Sequence, residues 1–311
     1  MLMTQELRAT IEYFHFFSYA PTARELYIFL KKPIPFEDFE RKLQALCREG
    51  ILTSRVFRND YRYVPLQFLS CSNPHYTLGG YSINHQLQTK KIHNSRSKLQ
   101  RVSFFISLIG SLPSVKLVGL SGSVAMLSAK ESDDVDLFVI TTSKTMWITR
   151  LIILLVASAL RVRRKYGDST AQDKVCINLI FDESNLMVPH PKRTEYVAHE
   201  ILQMKPLVVK GSTYMIFLDT NKWVFDIFPN ADMVRREYRE YESSMVRLSE
   251  SQVWRIWSGA FLFICRYLES VAMRLQLMMI QRRRTNERIT ATQLWFHPDD
   301  FERRVRHVLK K

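Results

Sequence analysis

Two aspartates one residue apart, Asp134 and Asp136, open the run Asp134-Val135-Asp136-Leu137-Phe138-Val139-Ile140. Apolar residues alternate with them as in a β-strand, where positions two apart point to the same face. The two carboxylates therefore project side by side and repel unless a cation lies between them. Hard oxygen donors of this kind suit Mg²⁺. Val135, Leu137 and Val139 point the other way, into a core. Upstream, Ser121-Gly122-Ser123 turns the chain into a short helix over 124–128.

The surrounding elements must hold these groups together. Residues 115–120 read as a short strand, 135–141 as a second, 146–161 as a long apolar helix and 175–181 as a third strand. A further helix begins near Ser95 and stops before Pro113. Strand and helix in alternation predict an α/β (α+β) core with a mixed sheet. Arg150, near the start of the long helix, is placed to reach a phosphate or to cap the polar rim of that helix. Lys130, Lys144 and the run 161–165 form a basic surround.

Gly-Ser, ten intervening residues, then Asp-x-Asp on a strand is similar to the signature of the DNA polymerase β-like nucleotidyltransferase superfamily. The match covers roughly residues 115–182. More loosely, the whole chain resembles bacterial proteins that join an N-terminal winged helix to such a domain and a helical tail. The resemblance implies that Gly122 and Ser123 hold a nucleotide's phosphates, where free N–H groups and the helix dipole favour an anion. It implies that Asp134 and Asp136 hold Mg²⁺ (or Mn²⁺) on an NTP, for in-line attack by an acceptor hydroxyl on the α-phosphate. Members add a third carboxylate from a later strand. Here that position is Asn178, within Ile177-Asn178-Leu179, which can offer an oxygen but neither charge nor basicity. Asp182, an even number of residues on, is expected on the same face as Asn178. Asp133, Asp173 and Glu183 are the other substitutes.

Residues 1–69 predict three helices, the second opened by a Thr22/Glu25 capping box, and a β-hairpin with strands at 51–57 and 61–64. That order resembles the winged helix-turn-helix fold, with Arg41, Lys42, Arg55, Arg58 and Arg62 as nucleic-acid contacts. Glu37, Asp38, Glu40 and Glu49 oppose that use. Residues 70–94 are polar and turn-rich and read as a linker, 95–228 as the nucleotidyltransferase-like domain and 229–311 as a helical region. In the last, 253–280 is a single long helix with Trp254, Trp257, Phe261, Ile264 and Leu268 on one face.

Composition bounds the alternatives. The excess of 45 Lys+Arg over 30 Asp+Glu favours polyanionic partners. The four cysteines are scattered, which excludes a zinc-finger spacing or a disulfide framework. The apolar run 151–160 is about half the length that a bilayer span needs, so a reducing cytoplasm is the expected compartment. Neither a Ser/His/Asp triad nor a Walker loop is present. The leading expectation is a Mg²⁺-dependent nucleotidyltransferase moving NMP from an NTP to an unidentified acceptor. The alternative is a nucleotide- or DNA-binding regulator with an inactive transferase fold. A third is an interaction protein whose long C-terminal helix docks a partner.

Overall fold

The computed structural model describes residues 2–55, 74–79, 85–164, 172–244, 252–281 and 288–296. Three helices come first: α1 (Leu2–Phe16), α2 (Ala23–Ile28) and α3 (Phe36–Arg48). Thr22 and Glu25 form the expected capping box, with Thr22 N–H donating to Glu25 Oε2 at 2.8 Å. β1 (Leu52–Arg55) then pairs antiparallel with β2 (His75–Leu78). The strand expected at 61–64 lies outside the described residues. Leu7, Ile11, Leu26, Phe39 and Leu43 close a small core under these elements.

α4 (His85–Ser111) starts ten residues before the expected Ser95. Its first turns carry polar residues that tertiary contacts satisfy, so the apolar period does not reveal them. Lys91 Nζ, for example, donates to the carbonyl of Ser18 at 2.9 Å.

A six-stranded sheet follows, in the order β6-β3-β4-β5-β8-β7. Its strands are β3 (Val115–Ser121), β4 (Val135–Thr141), β5 (Val175–Asp182), β6 (Lys205–Val209), β7 (Arg288–Ile289) and β8 (Gln293–Trp295). β3 is antiparallel to both β4 and β6, whereas β4 and β5 are parallel and joined through α6 (Met146–Ala159). The mixed sheet and the α+β class match the sequence expectation. The segment after the last helix is not purely helical, since β8 pairs antiparallel with β5.

Both faces of the sheet are covered. Val118, Leu120, Val135, Leu137 and Val139 face α4, α6 and α11 (Gln252–Gln281). Leu117, Phe138, Ile140 and Phe181 face α7 (Glu195–Gln203), α8 (Thr213–Thr220), α9 (Trp223–Ile227) and α10 (Asp232–Ser244). Tyr13, Phe14 and Phe29 of the N-terminal helices belong to this second core. Period-two alternation with both faces apolar is what a doubly covered sheet requires. α6 is a half-buried crossover whose first turn is closed by Glu269 of α11, which accepts from the N–H groups of Trp147 and Ile148 at 2.8 and 2.9 Å. Among the described residues no helix is long and apolar enough to cross a membrane.

Candidate functional site

The one-turn helix α5 (Gly122–Ala125) and the start of β4 meet at a single point. Ser121 lies opposite Asp136 in the β3–β4 register. Gly122 follows with φ +65°, a left-handed conformation that side chains with a Cβ resist. A Cβ built there would lie 2.4 Å from Asp136 Oδ2. The glycine is thus required twice, by its backbone angle and by the carboxylate pressed against it.

The loop between α5 and β4 is held from both sides. Ser123 Oγ and the backbone N–H of Lys130 both donate to Asp133 Oδ2, at 3.0 and 2.9 Å. Lys98 Nζ, from α4, donates to the carbonyls of Glu131 and Asp133, each at 2.7 Å, and pairs with Asp173. Ser95 Oγ accepts from the N–H of Ala129 at 3.1 Å. Asp133 and Asp173 are therefore structural acids and take no part in the acid pair.

Asp134 and Asp136 do project together. Their carboxylate oxygens and Cys176 Sγ all lie within 4.8 Å of one another, close enough to share one ion. Burial pushes the Asp136 carboxyl well above the usual carboxylate range, and the neighbouring Asp134 and Glu200 push the same way. Asn178 Nδ2 donates to Asp136 Oδ1, which favours the charged form of Asp136, and Arg164 pairs with Asp134. Cys176, directly opposite Asp136 on β5, donates its thiol to Asn178 Oδ1 at 2.9 Å. Burial, with the two aspartates adding to it, raises that thiol to about 12. Without a bound ion it stays protonated near neutrality; the hard donors of the cluster are the two carboxylates, and hard oxygen donors suit Mg²⁺ or Mn²⁺.

Asn178 occupies a β-bulge. Leu137 pairs with Ile177 and Phe138 with Leu179, leaving Asn178 as an extra residue on β5. Asn178 and Leu179 both turn toward the acid face, and the side-chain parity of the strand reverses beyond them. Leu179 and Phe181 pack into the core on that face, while Ile180 packs into the opposite one. Asp182 follows Ile180 away from the site, contrary to the even-spacing expectation. It accepts instead from Lys144 N–H at 2.7 Å and Ser184 N–H at 2.9 Å. Glu183 accepts from Ser143 N–H at 2.9 Å. Arg150 is not brought to the acid pair either. Its guanidinium donates to Gln276 of α11 and lies over the ring of Phe296, on the face where α6 packs.

A further acid, from a helix rather than a strand, acts on Asp136 through its charge without joining the cluster of Asp134, Asp136 and Cys176. Glu200 of α7 lines a cavity with Ser121, Phe138, Leu179 and Tyr196. Tyr196, one turn earlier, is hydrogen-bonded to its carboxylate. Glu200 Oε2 and Ser121 Oγ are both buried without a hydrogen-bond partner among the described residues. Burial raises Glu200 to about 7. The available signal was a lone acid inside the helix Tyr196-Val197-Ala198-His199-Glu200-Ile201-Leu202, whose other members are buried.

Neither a protein family nor any curated protein matches this chain. Among solved structures, a crystal structure of a toxin-antitoxin with AMP-PNP aligns with 46% of this chain and 92% of its own, at 16% identity. The TM-score is 0.24, too low to carry an inference about fold or ligand.

Proposed function

We propose that this protein is a Mg²⁺- or Mn²⁺-dependent nucleotidyltransferase that moves a nucleoside monophosphate from an NTP to a hydroxyl-bearing acceptor. The observation that carries this reading is the contact between the Gly122 turn and the Asp136 carboxylate. A phosphate on the turn and a cation on Asp134 and Asp136 would be immediate neighbours, as a metal-bound triphosphate requires. The cation, when bound, supplies charge neutralisation for the triphosphate and the departing pyrophosphate.

The protein's own groups do the rest. Gly122 lets phosphate oxygens approach the backbone of α5 closely. Arg164 balances Asp134 in the free protein, and with a cation held by the aspartates its guanidinium would be free to pair with a phosphate oxygen. Glu200, held by Tyr196, receives the proton of the acceptor hydroxyl as its oxygen attacks the α-phosphorus and pyrophosphate leaves. Asn178 steadies Asp136 by hydrogen bond and takes no proton.

Transfer of label from each α-³²P NTP into a dialysed cell extract, with Mg²⁺ or Mn²⁺, tests the reading. Wild type runs beside Asp134→Asn/Asp136→Asn. Label reaching a product with wild type alone supports transfer, and the mobility of the product identifies the acceptor class. Equal labelling by both proteins, or NTP binding untouched by the double substitution, sinks it. Metal-dependent NTP binding without transfer would favour the regulator reading, which the amide at 178 motivates.

A further inference from the structure

α11 is fixed to the body along one side. Cys265 and Ala272 are buried there. Gln276 Nε2 donates to the Trp147 carbonyl at 2.7 Å, and Glu269 caps α6. These contacts set the rotation of the helix, so the flank about 100° round from them cannot turn inward. That side carries Trp257, Ile264, Leu268, Val271, Leu275 and Met278, all exposed. With Phe261, half-buried at the margin, they follow a strict four-three spacing over three heptads. This is the seam of a coiled coil, whose 3.5-residue period keeps one stripe against a partner helix.

The size of the stripe points to a stable interface. Trp257 is 71% exposed, and the flanking Phe263 and Tyr267 are 74% and 80% exposed. With the aliphatic members, the apolar area open to water is roughly 1,000 Å². The largest patch on an ordinary monomer is a few hundred Å², whereas each partner in a standard complex buries about 800 Å². Charge argues against a lipid surface as the occupant. A helix lying on anionic lipid carries rows of cations beside its apolar face. Here Arg266 is turned back to the Ser143 carbonyl, and Arg274 is the cation that borders the stripe among the described residues. A nearly uncharged seam is self-complementary, as two-fold pairing of one patch with itself requires.

We propose that α11 is a dimer interface, packed seam to seam against α11 of a second copy of this chain. The proposal is independent of nucleotidyl transfer, since none of the seam residues belongs to the acid site. Sedimentation equilibrium of the full chain over two decades of concentration tests it, with Ile264→Glu/Val271→Glu alongside. Both positions are exposed in the single chain, so far-UV circular dichroism of the variant should match wild type. The expected result is a mass of twice 36.7 kDa for wild type and a dissociation constant raised at least tenfold in the variant. A wild type that stays monomeric throughout, or a variant that dimerises equally well, overturns the proposal. Flotation of a monomeric wild type with anionic phosphatidylserine vesicles would reassign the stripe to a lipid surface.

Discussion

Asp136 sits where three demands on one side chain conflict: burial disfavours its charge, Asp134 repels it, and Asn178 donates a hydrogen bond that requires an acceptor. The Asp136→Asn protein should therefore unfold at an equal or higher temperature than wild type in EDTA, since a neutral amide removes the repulsion. It should also lose the stabilisation that Mg²⁺ gives wild type. Thermal unfolding with and without Mg²⁺ checks both halves. At Gly122, replacement by Ala meets a left-handed backbone and a carboxylate oxygen at 2.4 Å. A loss of about 1–3 kcal/mol is expected, together with weaker NTP binding, measurable by denaturant unfolding and calorimetry. Glu200 gives a pH signature. Folded, its carboxyl holds its proton up to about 7, against 4.5 ordinarily, so between those values the native state binds more protons than the unfolded. Its contribution to stability is complete below pH 4.5 and is lost as pH rises through 7. Unfolding curves across that window should show the decline in wild type and not in Glu200→Gln. If Glu200 receives the acceptor proton, transfer rises over the same window, and the variant flattens that rise.

At the scale of elements, α7 connects two parts of the molecule. His199 stacks between Tyr13 of α1 at 3.8 Å and Phe29, just beyond α2, at 4.2 Å, while its neighbour Glu200 lines the cavity beside Ser121 and Phe138. Burial holds the imidazole well below its usual 6.5, so its stabilising contribution is full above that value and is lost as pH falls below it. His199→Phe keeps the stack and removes the titration. The variant should hold its Tm at acid pH where wild type declines, as a scanning calorimeter would show. The strands, α6, the capping box and the acid pair were legible because each is written in local spacing. Glu200, Lys98 and the Arg164–Asp134 pair were not, because distant segments bring them in through tertiary packing. The fate of Asp182 was misread for a different reason: counting by twos assumes a regular strand, and one extra residue on β5 reverses the count.

Across the whole molecule, the N-terminal helices do not form a separate body. Phe14 and Phe29 share a core with Phe138, Phe181 and Phe228, and the Phe29 and Phe228 rings are 5.2 Å apart. A chain beginning at residue 85 would expose that core. It should bind hydrophobic dye or aggregate, whereas the full chain should unfold with coincident transitions by circular dichroism and intrinsic fluorescence. The bulge on β5 adds a consequence about length. Pairing on either side of Asn178 already matches β4 position for position, so excising that residue would close the ladder without moving any other side chain to a new face. The sheet has no use for the extra residue. Its side chain serves Asp136, while the ladder needs only one of the two bulge residues, Asn178 and Leu179; a deletion elsewhere within the paired run would turn part of the core inside out.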